Sequence, residues 1–177
     1  MLDADIESLY VKYGHYLFTR CKNVLGSEDE AYDALQEVFV RVVKNRPALD
    51  PERPPLAWLN RVTTNICLNR IRARRYRNHI HIDDIRDLAD CSPSIFIARL
   101  AENRDLLRHL LDSVDARTQE VVVSYFFDER TAAQIADNIG TSTPTVRRIL
   151  KRFLIQARSR LDGGTAVSVP AKGSAVS

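Results

Sequence analysis

The chain has 177 residues, 45% of them hydrophobic and 28% charged, with a net charge of only +3. This is a globular composition with room for one domain or two small ones, and no apolar run approaches the ~18–20 residues that cross a bilayer. Three scattered cysteines form no disulfide framework and the start MLDADIESLY is too acidic for a signal peptide, so a reducing cytoplasm without membrane insertion is expected.

With six glycines and abundant Leu, Val, Ile, Ala and Arg, the chain reads as all-α. Ile6, Leu9, Tyr10, Tyr13, Tyr16, Leu17 and Phe18 recur at helical spacing, and Gly26 ends that first helix. Ser27-Glu28-Asp29-Glu30 has the form of a capping box. It opens a second helix with Ala34, Leu35, Val38, Phe39 and Val42 on its apolar face. The stretch Asn45–Pro55 holds four of the seven prolines and must be a stiff loop, because proline lacks an N–H and restricts its neighbour. A third helix runs from about Leu56 to Arg75.

Periodicity fades over Asn78–Pro93, which reads as an interdomain linker, and helical patterning returns at Phe96–Leu111. A helix at Ala116–Phe127 with Asp115 as its cap follows, then a short one at Thr131–Asn138. VVVSYFF resembles a strand in isolation but has no turn partner. The expected organisation is two small helical domains, 1–77 and 96–162, a flexible linker at 78–95, and a disordered, small-residue tail at 163–177.

The last helix begins in TSTPTVRRILKRF, with Ser142 or Thr143 as N-cap and Pro144 in its first turn, where a missing N–H costs nothing. Taking Arg147 as the origin, a helix puts Lys151 at roughly 40°, Arg148 at roughly 100° and Arg152 at roughly 140°. Val146, Leu150, Phe153 and Ala157 fall on the opposite side, at roughly 240–300°. Upstream, Ile135, Ala136, Ile139 and Gly140 complete a helix-turn-helix pattern. A basic face alone could simply be solvated. The turn pattern points it at a DNA major groove, where an arginine fork grips a guanine edge or a phosphate.

Charge elsewhere is uneven. Arg61, Arg70, Arg72, Arg74, Arg75 and Arg77 lie in a segment without an acid, whereas Asp29–Glu37 is acidic. In the third helix Arg61, Asn65, Asn69 and Arg72 share one face at one-turn spacing. Trp58 can fill the core or stack on a base. Arg74 and Arg75 suit phosphate contact, or complement the helix dipole.

Taken together, these segments resemble the extracytoplasmic-function class of bacterial sigma factors. SEDEAYDALQEVFVRVV resembles the helix by which that family docks on the coiled coil of the polymerase's largest subunit. The resemblance assigns core-polymerase contacts to Asp29, Asp33, Gln36 and Glu37. PPLAWLNRVTTNICLNRIRARRYR resembles the segment that melts and reads the −10 element. It implies DNA contacts from Asn45, Trp58, Arg61, Asn65, Asn69, Arg72, Arg74 and Arg75, with the Pro-rich loop in the place that captures a flipped base. The stretch from Leu111 to Leu161 resembles the −35 reader, implying Ser142, Thr143, Thr145, Arg147, Arg148, Lys151 and Arg152. Pro144, Arg148 and Asp115-Ala116 depart from the commoner family residues, which bears on promoter choice.

Partners implied by the resemblance are core RNA polymerase, promoter DNA and an anti-sigma factor or other regulatory protein, met in the cytoplasm and on the nucleoid. A conventional helix-turn-helix regulator of duplex operators is the alternative. No catalytic set, cofactor or metal is expected: His79, His81 and Cys91 lack the paired spacing of a zinc site.

Overall fold

A computed structural model describes residues 2–45, 55–75 and 92–162. The Pro-rich loop, the linker with His79, His81 and Cys91, and the tail lie outside the described residues. All regular structure among the described residues is helical. The helices are α1 (Leu2–Leu25), α2 (Glu28–Lys44), α3 (Pro55–Arg75), α4 (Pro93–Glu102), α5 (Arg104–Leu111), α6 (Ala116–Phe126), α7 (Ala132–Ile139) and α8 (Thr143–Asp162).

The first three helices form one group. Gly26 adopts φ +76°, which turns the chain after α1 while its N–H bonds the Lys22 carbonyl at 2.8 Å. Ser27 then caps α2 by accepting from the Glu30 N–H at 3.4 Å. The expected capping box is only half made, because the Glu30 carboxylate turns away to Arg74, 3.2 Å distant on α3. Tyr10 stacks on Phe39 and Phe18 on Tyr32, so α1 and α2 run antiparallel. Arg70 meets Glu37 at 3.3 Å and Arg74 meets Glu30, which makes α2 and α3 antiparallel too. Leu17, Cys21, Val24, Leu35, Val38, Leu59, Ile66 and Ile71 fill the space between, with Cys21 and Cys67 as buried free thiols.

In the remaining helices one expectation needs correction. The single helix read over Phe96–Leu111 is two, and the first begins at Pro93, inside the stretch assigned to the linker. Asn103 breaks it: its backbone leaves the helical region at φ −93°, ψ 78° and its side chain caps α5 through the Leu106 N–H at 3.0 Å. Asp115 caps α6 as expected, accepting from the Arg117 and Thr118 N–H groups, both at 3.0 Å. VVVSYFF is helical. Val121, Val122, Val123 and Ser124 are all buried, and residues spanning that much of a helix can be covered only if other helices surround it. These surroundings include α3, α7 and α8.

Two stability predictions follow from these turns. Gly140 has φ +64° and open space around an added Cβ, so Gly140→Ala should cost about 1–2 kcal/mol from backbone strain alone. At Gly26 a Cβ would also lie 3.1 Å from the Arg108 guanidinium, so urea unfolding of Gly26→Ala should show the larger loss. Hydrogen bonds from the Thr118 hydroxyl, then the Thr118 and Arg117 N–H groups, hold the Asp115 carboxyl below its usual range. A depressed folded-state pKa stabilises above the unfolded value and loses that contribution as pH falls through the folded one. The difference in urea stability between the parent and Asp115→Ala, about 1 kcal/mol near neutrality, should therefore shrink below about pH 4.

Candidate nucleic-acid interface

The candidate DNA-reading helix, α8, is built from its turn upward. Thr131 and Gln134 form a reciprocal capping box at the start of α7, with N–H to side-chain bonds of 2.9 and 3.3 Å. Gly140 supplies the left-handed residue that ends α7. Ser142, rather than Thr143, is the cap of α8. Its hydroxyl accepts from the Thr145 N–H at 3.4 Å and meets the Thr145 hydroxyl at 2.9 Å. Arg117 braces the turn from α6 by donating to the Thr141 hydroxyl at 2.9 Å. Val146, Leu150, Phe153 and Ala157 are buried, as the sequence requires, and Arg147, Arg148, Lys151 and Arg152 are exposed. No ion pair among the described residues engages these four cations. Thr143 and Thr145 are half-buried at the helix start.

Beside α8 lies an open groove of about 970 Å³ between α4, the α6–α7 turn and α8. Phe96, Ile97, Tyr125, Leu154 and Ile155 give it an apolar floor, and Arg147 and Lys151 stand at its lining as well as on the basic face.

On α3 the expected residues separate into two kinds. Arg61 and Asn69 are exposed and Asn65 is half-buried, so the polar stripe exists. Arg72 joins it but is held at both ends of its guanidinium, to Asn69 Oδ1 and to Asp112 Oδ1, each at 2.9 Å. Arg74 is engaged by Glu30, and Trp58 packs half-buried against the core. The side chain of Arg75 lies outside the described ones. Asn45 is exposed and donates to the Arg41 carbonyl at 2.9 Å, which ends α2. On α2 itself Asp29, Asp33 and Gln36 face solvent. Glu37 differs from them: it lies between Arg41 at 2.9 Å and Arg70 at 3.3 Å, and so ties α2 to α3.

The most heavily connected charge was not singled out from the sequence. Arg20 on α1 is fully buried. It donates to Glu120 Oε1 and to Thr64 Oγ1, both at 2.7 Å, to Ser124 Oγ at 3.4 Å, and to Asp128. Burial works against its charge, but Glu120 and Asp128 outweigh burial and push the guanidinium pKa up. The same burial pushes the Asp128 carboxyl up, against the pull of Arg20. Glu129, at φ 55°, shapes the turn that presents Asp128, and Arg130 lies over the Tyr16 ring at 4.8 Å. The available signal was spacing. Arg20 stands with Leu17, Cys21 and Val24 on one helical stripe, so a core-facing cation was legible there.

The family model described as Sigma-70 region 2 matches residues 9–77, and that described as Sigma-70, region 4 matches residues 110–156. The RNA polymerase sigma factor SigF of Mycobacterium tuberculosis is 41% identical over 61 residues, which is 34% of this chain and 23% of that protein. The chain thus matches less than a quarter of SigF's length. The ECF RNA polymerase sigma factor SigW of Bacillus subtilis is 25% identical over 167 residues, covering 89% of this chain and 88% of SigW. Among solved structures, CnrH in complex with the cytosolic domain of CnrY aligns with a TM-score of 0.49 at 21% identity, over 92% of this chain and 91% of that one.

The two faces of α8 should separate cleanly in unfolding experiments. Phe153→Ala removes a buried ring and should cost about 3–5 kcal/mol, whereas Arg148→Ala should leave stability within about 0.5 kcal/mol.

Proposed function

The chain belongs to the sigma-70 family of RNA polymerase sigma factors, as a member of the extracytoplasmic-function type, and from that premise we propose that it directs promoter-specific initiation by core RNA polymerase. One observation carries the proposal: regions 2 and 4 follow each other on one chain, and the region 4 helix α8 bears a four-cation face with a fully apolar reverse. A repressor of duplex operators has use for the second feature but not for the first.

The mechanism is binding, not covalent chemistry. Asp29, Asp33 and Gln36 form the exposed acidic–polar face of α2 that meets polymerase, with Glu37 securing α2 to α3 behind it. Arg147, Arg148, Lys151 and Arg152 enter the −35 major groove, and the capped start of α8 sets its register on the phosphates. Arg61, Asn65 and Asn69 then hold unpaired −10 bases, with Arg72, Arg74 and Arg75 near the backbone. Strand opening is favoured because these groups have more affinity for separated strands than for duplex. The working boundaries are region 2 at 1–77 and region 4 at 96–162, and the place of action is the cytoplasm and nucleoid. A regulatory protein of the anti-sigma kind is the expected further partner, and the apolar groove beside α8 offers it a seat.

Run-off transcription with core polymerase and fragmented genomic DNA tests this reading. New start sites should appear only when the protein is added; duplex-operator binding without new starts would leave the operator-binding regulator in its place. Arg148→Ala should change which −35 sequences are used while leaving core-polymerase affinity unaltered. Lys151→Ala should weaken all −35 duplexes alike and reduce the salt slope of binding by about 1. Loss of core binding in Arg148→Ala with unchanged promoter choice would contradict the assignment.

A further inference from the structure

Two buried thiols meet behind the polar stripe of α3. Cys21 of α1 and Cys67 of α3 are both fully buried, and their helices pack side by side. The Cys67 S–H donates to the Cys21 sulfur. On a helix, Cys67 falls about 200° from Asn65 and from Asn69, so it lies on the reverse of the face that carries them.

Burial by itself leaves a thiol protonated and inert. Cys67 follows that rule: its hydrogen bond to Cys21 and its burial hold it well above the usual thiol range. Cys21 moves the other way. The Cys67 hydrogen bond draws it below that range against the cost of burial, and the charges of Arg20 and Arg70 act in the same direction. These two arginines share a further feature. Their terminal nitrogens are engaged by carboxylates, but each has a buried Nε–H with no acceptor among the described residues. A negative sulfur, or an oxygen bonded to it, is the kind of acceptor that these two donors lack.

We propose that Cys21 and Cys67 form a peroxide-oxidisable pair, Cys21 the attacking and Cys67 the resolving thiol, whose disulfide draws α3 toward α1 and weakens promoter opening. The Cys21 thiolate attacks one oxygen of hydrogen peroxide. An S–O bond forms as the O–O bond breaks, and the departing hydroxide takes up the proton that the Cys21 thiol released. The Cys67 sulfur then attacks the sulfenic sulfur of Cys21. The S–S bond forms, the S–O bond breaks, and that oxygen leaves with the Cys67 proton as water. Two thiols and one peroxide thus give one disulfide and two waters, with sulfur oxidised and peroxide oxygen reduced. The arginine charges favour the negative charge that develops on the leaving oxygen. Hydrogen peroxide is scarcely larger than water, so small local openings admit it, whereas glutathione disulfide needs a much wider one. Reducing surroundings keep the pair as the dithiol, so the bond marks a rise in oxidant.

The effect on α3 follows from position. A covalent bond holds two sulfurs much closer than a hydrogen bond does, and the closure acts directly behind Asn65 and Asn69. The thiol chemistry is independent of any role of α3, whereas the effect on promoter opening rests on the −10 assignment.

The test uses the full chain with Cys91→Ser, which leaves only this pair. Hydrogen peroxide should remove two hydrogens from the intact mass, and tryptic mapping should find the Cys21 and Cys67 peptides joined until dithiothreitol is added. Peroxide that fully oxidises free glutathione yet leaves the pair as thiols overturns the proposal. So does oxidation of Cys21 to the sulfinic acid without a link to Cys67. These readings keep both native thiols, so they stand whether or not a serine variant folds. In Cys67→Ser, whose hydroxyl still donates but cannot close a disulfide, dimedone should trap a sulfenic acid at Cys21; no adduct on the folded variant overturns the order of attack. The oxidised chain, freed of peroxide, is then mixed with core polymerase on templates that the reduced chain uses. Run-off transcripts should fall about ten-fold, the loss of roughly one good base contact, and return with dithiothreitol. Unchanged transcription by the fully disulfide-bonded chain overturns the coupling to α3. No transcripts from the reduced chain would instead overturn the proposed promoter-directed function and leave the thiol chemistry standing.

Discussion

A guanidinium stripped of water needs opposite charge and hydrogen-bond acceptors in its place, and Arg20 obtains both carboxylates from a distant part of the chain. Its partners come from α3, from the middle of α6 and from the turn after α6. Once Arg20 is buried, α1 fixes the positions of Glu120 and Asp128, and these fix α6. Because α6 is enclosed by α3, α7 and α8, the position of α8 follows from the same cluster. The carboxylates are themselves constrained. Glu120 accepts from Thr64 at 2.7 Å as well, and Asp128 sits in a turn closed by Arg130 N–H to Ser124 carbonyl at 3.0 Å. Removing one partner therefore leaves buried charge behind, which is costlier than never having placed it there.

Legibility from the sequence followed the range of the interactions. Local devices were plain: the apolar stripe Val146, Leu150, Phe153 and Ala157, the left-handed Gly140 and the Asp115 cap all depend on residues within a few positions of each other. Where a local signal failed, a distant competitor had taken the side chain. Glu30 has the right spacing to close the box with Ser27, but Arg74 on α3 offers a full positive charge in place of one N–H. The break at Asn103 was missed because Phe96–Leu111 keeps its apolar periodicity across the interruption. The helix there is divided by a side chain that caps, not by a proline or glycine.

The candidate interface divides in the same way. The cations of α8 were legible because no ion pair among the described residues contests them. Those of α3 were legible as a group but not individually, since Arg70, Arg72 and Arg74 each have a carboxylate partner that only the tertiary arrangement supplies. Glu37, which the resemblance groups with Asp29, Asp33 and Gln36, instead sits between two arginines.

Among the described residues, the outward face of α8 is anchored through its buried reverse. Positions 147, 148, 151 and 152 can therefore exchange side chains without drawing on the few kcal/mol that keep a small domain folded. On α3 such freedom is narrower: Arg61 is exposed, but Thr64, Arg70, Arg72 and Arg74 each hold something in place and Asn69 accepts from Arg72. Of the two sequences such a protein would read, the upstream one is the one it could relearn by a few surface substitutions; a change in the downstream one would have to be negotiated with the architecture.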